Sequence, residues 1–403
     1  MASLVSFPVV DYRDPWNESR DARLAALSRG HRRVAYFYEK PDTSTFRYRV
    51  HNMIDALRAD PQTDISATWF ALADLEDMDA FVDRTDVLVI CRTRYSAPVG
   101  RMIARARARG LRLIFDIDDL VFDPNYVHVI LDTLDQDVER MAIWDDWHAY
   151  VGRLAATLRH CDEAIVTTAP LAERMAACLP GGRVHIIPNY LNRAQIELSR
   201  SLFEARRELG FADDGRIHLG YFSGSPTHNR DFAVAASALA RLLREERRLM
   251  IRVVGFLDLP EALQRHRDRF EMVELQDFLN LQRLIGETDV NLVPLRDDVF
   301  TRCKSELKFF EAAIVGTPTI ASPTPAFAGA IEDGVNGFLA REQDWYPKLR
   351  QLLERIATPA GRIELAERAL RDVEERYAWT RQGPAIEAAL FASDASCRDR
   401  RSA

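Results

Sequence analysis

The sequence alternates short apolar runs of strand length with longer stretches of helical periodicity, and it does so in two series. The first series is RRVAYFYEK, TDVLVICR, LRLIFDID, CDEAIVTT and RVHIIPN; the second is IHLGYFSGS, LMIRVVGF, FEMVEL, DVNLVPL and TPTIASP. Strands that alternate with helices in this way form parallel sheets covered by helices. The sequence therefore predicts two α/β units.

The two series meet near residues 190–215, where the pattern loosens into a charged helical stretch. A chain of 403 residues is also too long for one ordinary core. We predict an N-terminal, acceptor-side domain over 1–195 and a C-terminal domain over 215–374, with a final helix over 375–403 able to pack back on the first. The predicted fold class is α/β, two Rossmann-like domains facing across a cleft, with ligands at the carboxyl ends of the strands.

Charge and cysteine usage exclude several classes of protein. A net charge of −7 argues against a dedicated nucleic-acid binder, and no apolar run reaches the roughly 18 residues of a membrane span. The first residues lack the basic start of a secretory signal. The five cysteines form no C-x-x-C pair, which argues against a zinc site and for a reducing compartment. We therefore expect a cytoplasmic protein.

One stretch, RMIARARARGLR at 101–112, is strongly basic within this acidic chain. It has two interpretations. The arginines form the solvated face of a helix, or they contact an anionic membrane surface or an anionic acceptor. The second interpretation predicts a peripheral contact with the inner face of the membrane.

The stretch LIFDIDDLVFDP at 113–124 delivers Asp116, Asp118 and Asp119 to the end of an apolar strand. Alone it resembles the nucleophile motif of haloacid-dehalogenase phosphatases and the Asp-x-Asp of metal-dependent glycosyltransferases. The phosphatase motif continues with Gly-Thr and needs a lysine downstream, whereas no lysine occurs between Lys40 and Lys304. The Asp-x-Asp motif belongs to a one-domain fold, which two Rossmann-like halves do not match. We expect these carboxylates to face the cleft.

The stretch CKSELKFFEAAIVGTPTIASPTPAFAGAIEDGVNGFLA at 303–340 is the most informative part of the chain. A helix ends at a glycine and a proline, a strand follows, and then comes E-D-G-V-N-G-F-L. This order resembles the donor-binding signature of retaining glycosyltransferases of family 4 (glycosyl transferases group 1), which have the GT-B fold. The resemblance covers the C-terminal half well, and the N-terminal half only through the order of elements and the IIPN hinge.

The resemblance implies a site for a nucleotide diphosphate sugar. Glu311 would hold the ribose hydroxyls, and the loop after 217–222 would bind the diphosphate through backbone N–H groups and cations. Only four of the 54 basic residues are lysine, and two of the four, Lys304 and Lys308, lie within five positions of each other in this segment. The donor-binding residues that we expect are Ser223, Gly224, Arg230, Lys304, Glu306, Lys308 and Glu311.

The sequence departs from the family pattern at three places. The first glutamate of the family's Glu-x7-Glu motif is Cys303 here, so the donor sugar's hydroxyls lose a partner or use Glu306 instead. A second basic residue has no match near Ser225. The N-terminal half has EKPDTSTFRYR where the family has a glycine-rich acceptor loop.

The acceptor side is predicted from the residues that follow the N-terminal strands. We expect Asp118 and Asp119 to be catalytic, by orienting acceptor hydroxyls or by stabilising positive charge in an oxocarbenium-like transition state. Asp116, Arg47 and Arg49 are expected beside them, where the arginines would meet an acceptor phosphate or pair with the aspartates. The alternative is that the carboxylates cap the following turn.

The resulting expectation is a retaining glycosyltransferase that moves a sugar to a glycan, lipid-linked or other hydroxyl acceptor. It needs no metal ion and no cofactor beyond its nucleotide-sugar co-substrate, because protein cations and helix N-termini stabilise the leaving diphosphate. The habits of the family suggest bacterial surface polysaccharide assembly. The alternative, motivated by Cys303, is a non-catalytic nucleotide-sugar-binding or scaffolding homologue. The sequence does not specify the sugar, the base or the acceptor.

Overall fold

Two six-stranded parallel sheets organise the chain in the computed structural model, which describes residues 6–59, 63–211, 214–225 and 228–391. The strands of the first sheet are β1 Arg32–Tyr38, β2 Ile65–Ala71, β3 Val87–Cys91, β4 Arg112–Ile117, β5 Glu163–Val166 and β6 Arg183–Ile186. Those of the second are β7 Ile217–Ser223, β8 Leu249–Gly255, β9 Phe270–Val273, β10 Val290–Val293, β11 Thr319–Ala321 and β12 Phe338–Leu339. This confirms the predicted fold class.

Helices cover both faces of each sheet, as the nearly continuous burial of β2, β3 and β7 requires. They are α1 Arg20–Leu27, α2 Asn52–Arg58, α3 Asp79–Val82, α4 Ala97–Ala108, α5 Val127–Thr133, α6 Met141–Leu158, α7 Ala169–Cys178, α8 Arg193–Glu208, α9 Asn229–Glu245, α10 Glu261–Gln264, α11 Phe278–Gly286, α12 Val299–Arg302, α13 Leu307–Ala313, α14 Pro325–Ala330, α15 Trp345–Ile356, α16 Pro359–Arg376 and α17 Gly383–Phe391. A π-helical turn, Arg47–His51, leads into α2. None of the described helices is long and apolar enough to cross a membrane.

In each sheet, the direction in which successive strands are added changes at one point, which we call the reversal point. The first sheet has the order β2-β1-β3-β4-β5-β6, so its reversal lies between β1 and β3. The second has the order β12-β11-β10-β7-β8-β9, with the reversal between β7 and β10. In open parallel sheets a crevice forms at the carboxyl ends of the strands at such a reversal. The topology therefore gives each domain one preferred ligand-binding edge.

The terminal segments of the chain each pack on the opposite domain. Near the N-terminus, the backbone N–H of Val10 donates to Asn280 Oδ1 on α11 at 3.0 Å. At the other end, α17 lies against the first domain, where Arg112 Nη1 donates to the carbonyl of Leu390 at 2.7 Å. The predicted final helix over 375–403 is divided, because the chain leaves helical geometry around Ala378 to pair with Leu191. Residues 392–403 lie outside the described part of the chain.

The arginine-rich stretch of the sequence forms α4 and the residues after it. Arg105 Nη2 lies 2.7 Å from Asp83 Oδ2, and Arg109 Nε lies 3.6 Å from the other oxygen of the same carboxylate. Arg107 Nη2 donates to the carbonyl of His160 at 3.0 Å. Arg112 Nη2 lies 2.5 Å from Glu163 Oε2 on β5. Four of the five arginines are therefore engaged within the first domain. This arrangement fits the solvated helix face, and the contact with an anionic membrane or acceptor stays a prediction.

Candidate functional site

A cavity of about 610 Å³ lies between the two domains, where the two reversal points face each other. The first domain lines the cavity with Tyr38 at the end of β1 and Arg92 after β3. The second lines it with Ser223 at the end of β7 and Pro294 after β10. Its size is within the range of about 300–1,000 Å³ typical of small-molecule sites. The fold thus forms one shared pocket from two sheet edges.

The loop after β7 presents backbone to this cavity. Ser223 Oγ donates to the carbonyl of Ser225 at 2.9 Å, which holds the loop in a tight turn. A Cβ added at Gly224 would meet no atom within 4 Å, so the chain faces open space there. A Cβ added at Gly255 would lie 1.9 Å from the carbonyl oxygen of Ser223, and the φ angle of Gly255 is 97°. Glycine at position 255 is required for β8 to pack beside the loop.

Two lysines supply positive charge to the same wall. Lys304 and Lys308 both line the cavity, and Lys308 Nζ lies 5.4 Å from the centre of the Tyr221 ring. Lys304 Nζ lies 3.7 Å from Asp119 Oδ1 of the opposite domain. Burial, together with the neighbouring charge of Lys304, lowers the pKa of Lys308 to about 8. The pair of lysines predicted from the sequence therefore lies at the cavity.

A histidine and an aspartate at the start of α9 complete this wall. A ring nitrogen of His228 lies 3.0 Å from Asp231 Oδ2, while Asp231 Oδ1 accepts from the backbone N–H of Arg296 at 3.0 Å. Burial lowers the pKa of His228 below its usual value. The imidazole is therefore neutral near pH 7. His228 was not among the predicted donor residues, although it lines the cavity.

Glu311 on α13 reaches the cavity and meets the first domain there. The hydroxyl of Tyr48 donates to Glu311 Oε1 at 2.5 Å, and Arg47 Nη2 donates to the same oxygen at 3.3 Å. The Arg47 guanidinium stacks on the Tyr48 ring, with its carbon 4.0 Å from the ring centre. Its Nη1 is buried without a hydrogen-bond partner among the described residues. Glu311, the carboxylate predicted to bind the ribose, therefore links the two domains. It lies beside the guanidinium of Arg47, whose Nη1 has no partner among the described residues.

Asp118 and Asp119 form the opposite wall with Arg92. Arg92 Nη1 lies 2.9 Å from Asp118 Oδ1 and 3.0 Å from Asp119 Oδ2. Thr45 Oγ1 donates to the second oxygen of Asp118 at 3.1 Å. The charges of Lys304 and Arg92 hold the pKa of Asp119 below its usual range despite its burial. Both carboxylates line the cavity, as the sequence predicted, and Asp119 stays ionised.

Arg92 is the main residue that the sequence reasoning missed. It follows β3 with φ of 38°, a left-handed conformation that is strained for any residue other than glycine. Its Nε donates to the Tyr150 hydroxyl at 3.1 Å. The guanidinium therefore donates to four side chains: Tyr150, Thr45, Asp118 and Asp119. The position just after a strand at the reversal point is the signal that would have indicated it.

Asp116 and Arg49 lie away from the cavity, so the structure does not place them with the other residues predicted for the acceptor side. Asp116 belongs to β4 rather than to the loop after it, and both side chains are fully buried. Arg49 Nε and Nη2 donate to the two oxygens of Asp116 at 2.8 and 2.9 Å. The pairing that the sequence suggested is present, but it is a structural ion pair inside the first domain.

Glu306 does not take over the position left by Cys303. Its Oε1 accepts from the Tyr377 hydroxyl at 2.5 Å, and the residue does not line the cavity. Cys303 is buried at the domain boundary, where its carbonyl accepts from Thr168 Oγ1 at 3.0 Å. No carboxylate from this segment other than Glu311 lines the cavity.

Arg230 also lies outside the shared cavity. Its guanidinium forms ion pairs with Asp132 and Asp135 at the end of α5, and Arg296 binds Asp132 as well. The side chain lines a second cavity of about 1,070 Å³ on the flank of the second domain. The structure therefore does not place Arg230 with the other predicted donor residues. Instead it connects the domains at their surface.

Among the described residues, no three His, Cys, Asp or Glu side chains are arranged to hold an ion. The cations that line the cavity are side chains of the protein itself: Arg47, Arg92, Lys304 and Lys308.

Comparison with known proteins identifies the architecture. Residues 217–357 match the family model of glycosyl transferases group 1. HepE from Anabaena, solved in complex with UDP, is 13% identical, with 89% of this chain and 100% of that chain covered and a TM-score of 0.59. Sucrose-phosphate synthase from Thermosynechococcus elongatus is 17% identical over 92% and 99% of the two chains, with a TM-score of 0.55. No curated protein sequence matches. The chain has the GT-B fold, and these findings together support a GT-B glycosyltransferase.

Proposed function

We propose that the chain transfers a sugar from a nucleotide diphosphate sugar to a hydroxyl acceptor, with retention of the anomeric configuration. One observation carries the proposal: a single cavity has two lysines and an open backbone loop on one wall and the two carboxylates Asp118 and Asp119 on the other. The first wall suits a diphosphate, which needs cations and N–H donors. The second suits hydroxyl groups and developing positive charge.

The donor binds mainly to the second domain. Its ribose hydroxyls meet Glu311, and its diphosphate lies between the loop at 223–225 and the lysines Lys304 and Lys308, all of which line the cavity. UDP is the first nucleotide to test, because HepE has been solved with UDP and with UDP-glucose. Arg47, whose buried Nη1 has no hydrogen-bond partner among the described residues, is a further contact for an anionic group of the donor or acceptor.

The acceptor enters from the side of the first domain. Asp118 and Asp119 accept hydrogen bonds from its hydroxyls, and Arg92 holds both carboxylates in place. The acceptor class remains a glycan, a lipid-linked molecule or another hydroxyl compound. Assembly of a bacterial surface polysaccharide in the cytoplasm, peripherally at the membrane, is the setting that the family resemblance suggests.

A non-catalytic nucleotide-sugar-binding protein is the second candidate. It is favoured by one observation: Cys303 stands at the position of a family glutamate, and Glu306 is held by Tyr377 away from the cavity. Slow hydrolysis of UDP-, GDP- and ADP-sugars separates the two functions. Release of nucleotide diphosphate above the buffer rate supports the transferase, whereas binding without release supports the second candidate.

Removal of divalent cations is expected to leave turnover unchanged. Lys304, Lys308 and backbone N–H groups stabilise the leaving diphosphate, so this proposal assigns no step to a metal ion. Turnover measured with and without EDTA checks this. Loss of activity that manganese restores would contradict it and would return Asp118 and Asp119 to the role of metal ligands.

Nucleotide affinity is expected to fall as the pH rises above 8. In the free protein the pKa of Lys308 is lowered to about 8, and a bound diphosphate raises it again by adding negative charge. Binding then takes up a proton, so affinity is highest below pH 8 and becomes about tenfold weaker from pH 7 to pH 9. Calorimetry with UDP at both values measures the change. Lys308→Gln is the control and should show a flat profile; an equal decline in that variant would contradict the assignment.

A further inference from the structure

Residues 43–48 of the first domain lie along the shared cavity. Five of these six residues line it, and two of the five, Arg47 and Tyr48, donate hydrogen bonds to Glu311 on the second domain. The segment belongs to the stretch EKPDTSTFRYR, which stands where the family has a glycine-rich loop. The first domain therefore places two side chains directly on the carboxylate that is assigned to the ribose.

Arg47 and Tyr48 occupy one oxygen of the Glu311 carboxylate. Both hydrogen bonds end on Oε1, at 3.3 and 2.5 Å, and all three residues are only 3–4% exposed. Burial raises the pKa of Tyr48 well above its usual value, so its hydroxyl keeps its proton and acts as a donor. A carboxylate oxygen has two lone pairs, and two donors fill those of Oε1. A ribose that binds both oxygens of Glu311 must therefore displace Arg47 and Tyr48.

Displacement from Glu311 leaves the buried guanidinium of Arg47 in need of another anion. Glu311 is the only salt-bridge partner of Arg47 among the described residues. Its Nε donates to the carbonyl of Thr43 at 2.9 Å, and its Nη1 is buried without a hydrogen-bond partner in the described part of the chain. A buried charge that loses its partner is strongly destabilising. A neutral ribose therefore binds Glu311 only at a large energetic cost.

The diphosphate of the donor supplies an anion close to Arg47. Lys308, to which the proposed function assigns the diphosphate, lies on α13 three residues before Glu311. Residues at this spacing lie on one face of a helix, about 5–6 Å apart. Arg47, which contacts Glu311, is therefore about one helical turn from Lys308. Phosphate oxygens suit the planar fork of a guanidinium, which binds them through two parallel N–H groups.

The backbone around Arg47 is fixed, so the change of partner involves side chains. Arg47 and Tyr48 begin the π-helical turn Arg47–His51, a type of turn that is frequent at functional sites. Arg49 of the same turn is anchored inside the first domain by two hydrogen bonds to Asp116. Rotation of the Arg47 and Tyr48 side chains is then sufficient to release Glu311.

We propose that Arg47 changes partner from Glu311 to the donor's diphosphate when the ribose binds, and that this exchange makes the site specific for an intact nucleoside diphosphate. A nucleoside without phosphate must break the contact with Glu311 and leaves Arg47 unpaired. A nucleoside diphosphate replaces both interactions. Tyr48 contacts Glu311 only in the free protein. The inference rests on the proposed function and deepens it, because it names the residue that selects the class of donor.

Calorimetry on the full-length chain with UDP and uridine tests the exchange, with uridine measured by its displacement of UDP. In Arg47→Met, which keeps the packing on Tyr48 without a cation, we expect uridine to bind about threefold more tightly and UDP about tenfold more weakly. Tyr48→Phe removes only a competing donor, so both ligands should bind more tightly. Arg200→Met is the matched control and should leave both affinities unchanged, since this exposed arginine pairs with Glu374 and does not line the cavity.

Opposite shifts of the two affinities in Arg47→Met are the result that supports the exchange. A loss of UDP affinity with unchanged uridine affinity would make Arg47 an ordinary phosphate contact, and a loss of both would mean that it only joins the domains. Either result would overturn the proposal, as would unchanged or tighter binding of UDP. Melting temperatures report on the folding of each variant. If Arg47→Met does not fold, Tyr48→Phe decides, and a uridine affinity that fails to rise in that variant refutes the exchange.

A failure of the exchange is distinguishable from a failure of the proposed function. Absence of UDP binding by the wild-type protein would refute both. UDP binding without the opposite shifts would refute the exchange and leave the transferase in place. Opposite shifts without release of nucleotide from UDP-, GDP- or ADP-sugars would keep the exchange and support the non-catalytic candidate.

Discussion

Replacing both Asp118 and Asp119 by asparagine is expected to reduce sugar transfer by a factor of about 10²–10⁴, the usual contribution of positioned acid, base or charge-stabilising groups. Both carboxylates line the acceptor wall, and asparagine keeps an oxygen for the hydrogen bonds from Arg92. The nucleotide should bind almost as before, because its predicted contacts lie on the second domain. Removing a charge that acts as the transition state develops lowers turnover without weakening the ground state.

Asp116→Asn is the contrast to this double variant. Asp116 is fully buried and accepts both hydrogen bonds from Arg49, so the substitution leaves that guanidinium without a charged partner. Loss of one member of a buried pair costs about 3–5 kcal/mol of stability. Turnover, UDP affinity and melting temperature are measured on both variants. Normal turnover with a lowered melting temperature in the double variant would show that Asp118 and Asp119 only cap a turn.

Glu311→Ala is expected to weaken nucleotide binding by about 10- to 100-fold. A hydrogen bond to a buried charged group contributes about 1.5–3 kcal/mol, and each 1.4 kcal/mol is a factor of ten. Glu311 lines the cavity on α13 and is only 4% exposed, so a hydrogen bond between it and the ribose is shielded from solvent. Calorimetry with UDP measures the change, and unaltered affinity would contradict the assignment to the ribose.

Tyr48→Phe is the control for Glu311. Its hydroxyl donates to the same carboxylate oxygen, so the variant removes a cross-domain bond and keeps the carboxylate. Nucleotide affinity should stay at the wild-type value or rise, since one competitor for the carboxylate is gone. A loss as large as that of Glu311→Ala would mean that the carboxylate acts by joining the domains.

The alternation of apolar runs was sufficient to predict the two sheets, and each of the ten runs is a strand. β2 was not identified because Ser66 and Thr68 interrupt its apolar pattern, although both are buried. β12 has only two residues, too few for any periodicity. Each terminal segment packs on the other domain through contacts between residues that are far apart in the sequence. No local sequence pattern predicts such contacts.

The sequence predicted the location of several residues that follow a strand or belong to the family signature. Lys304, Lys308, Glu311, Asp118 and Asp119 all line the cavity. Arg230 fits the signature equally well, but its side chain pairs with α5 of the other domain, and such a contact is invisible in one sequence. Arg92 follows a predicted strand, but the strand order that puts this strand at a reversal point, and the left-handed backbone of Arg92, appear only in the fold.

A crystal structure of the full chain with UDP shows directly whether the donor binds as proposed. We expect the diphosphate between the loop at 223–225 and the side chains of Lys304 and Lys308, with the ribose hydroxyls on Glu311. Asp118 and Asp119 should face it across the cavity without touching it. UDP bound in the second cavity beside Arg230, or a ribose held by other residues while Glu311 stays with Tyr48, would refute the proposed donor site.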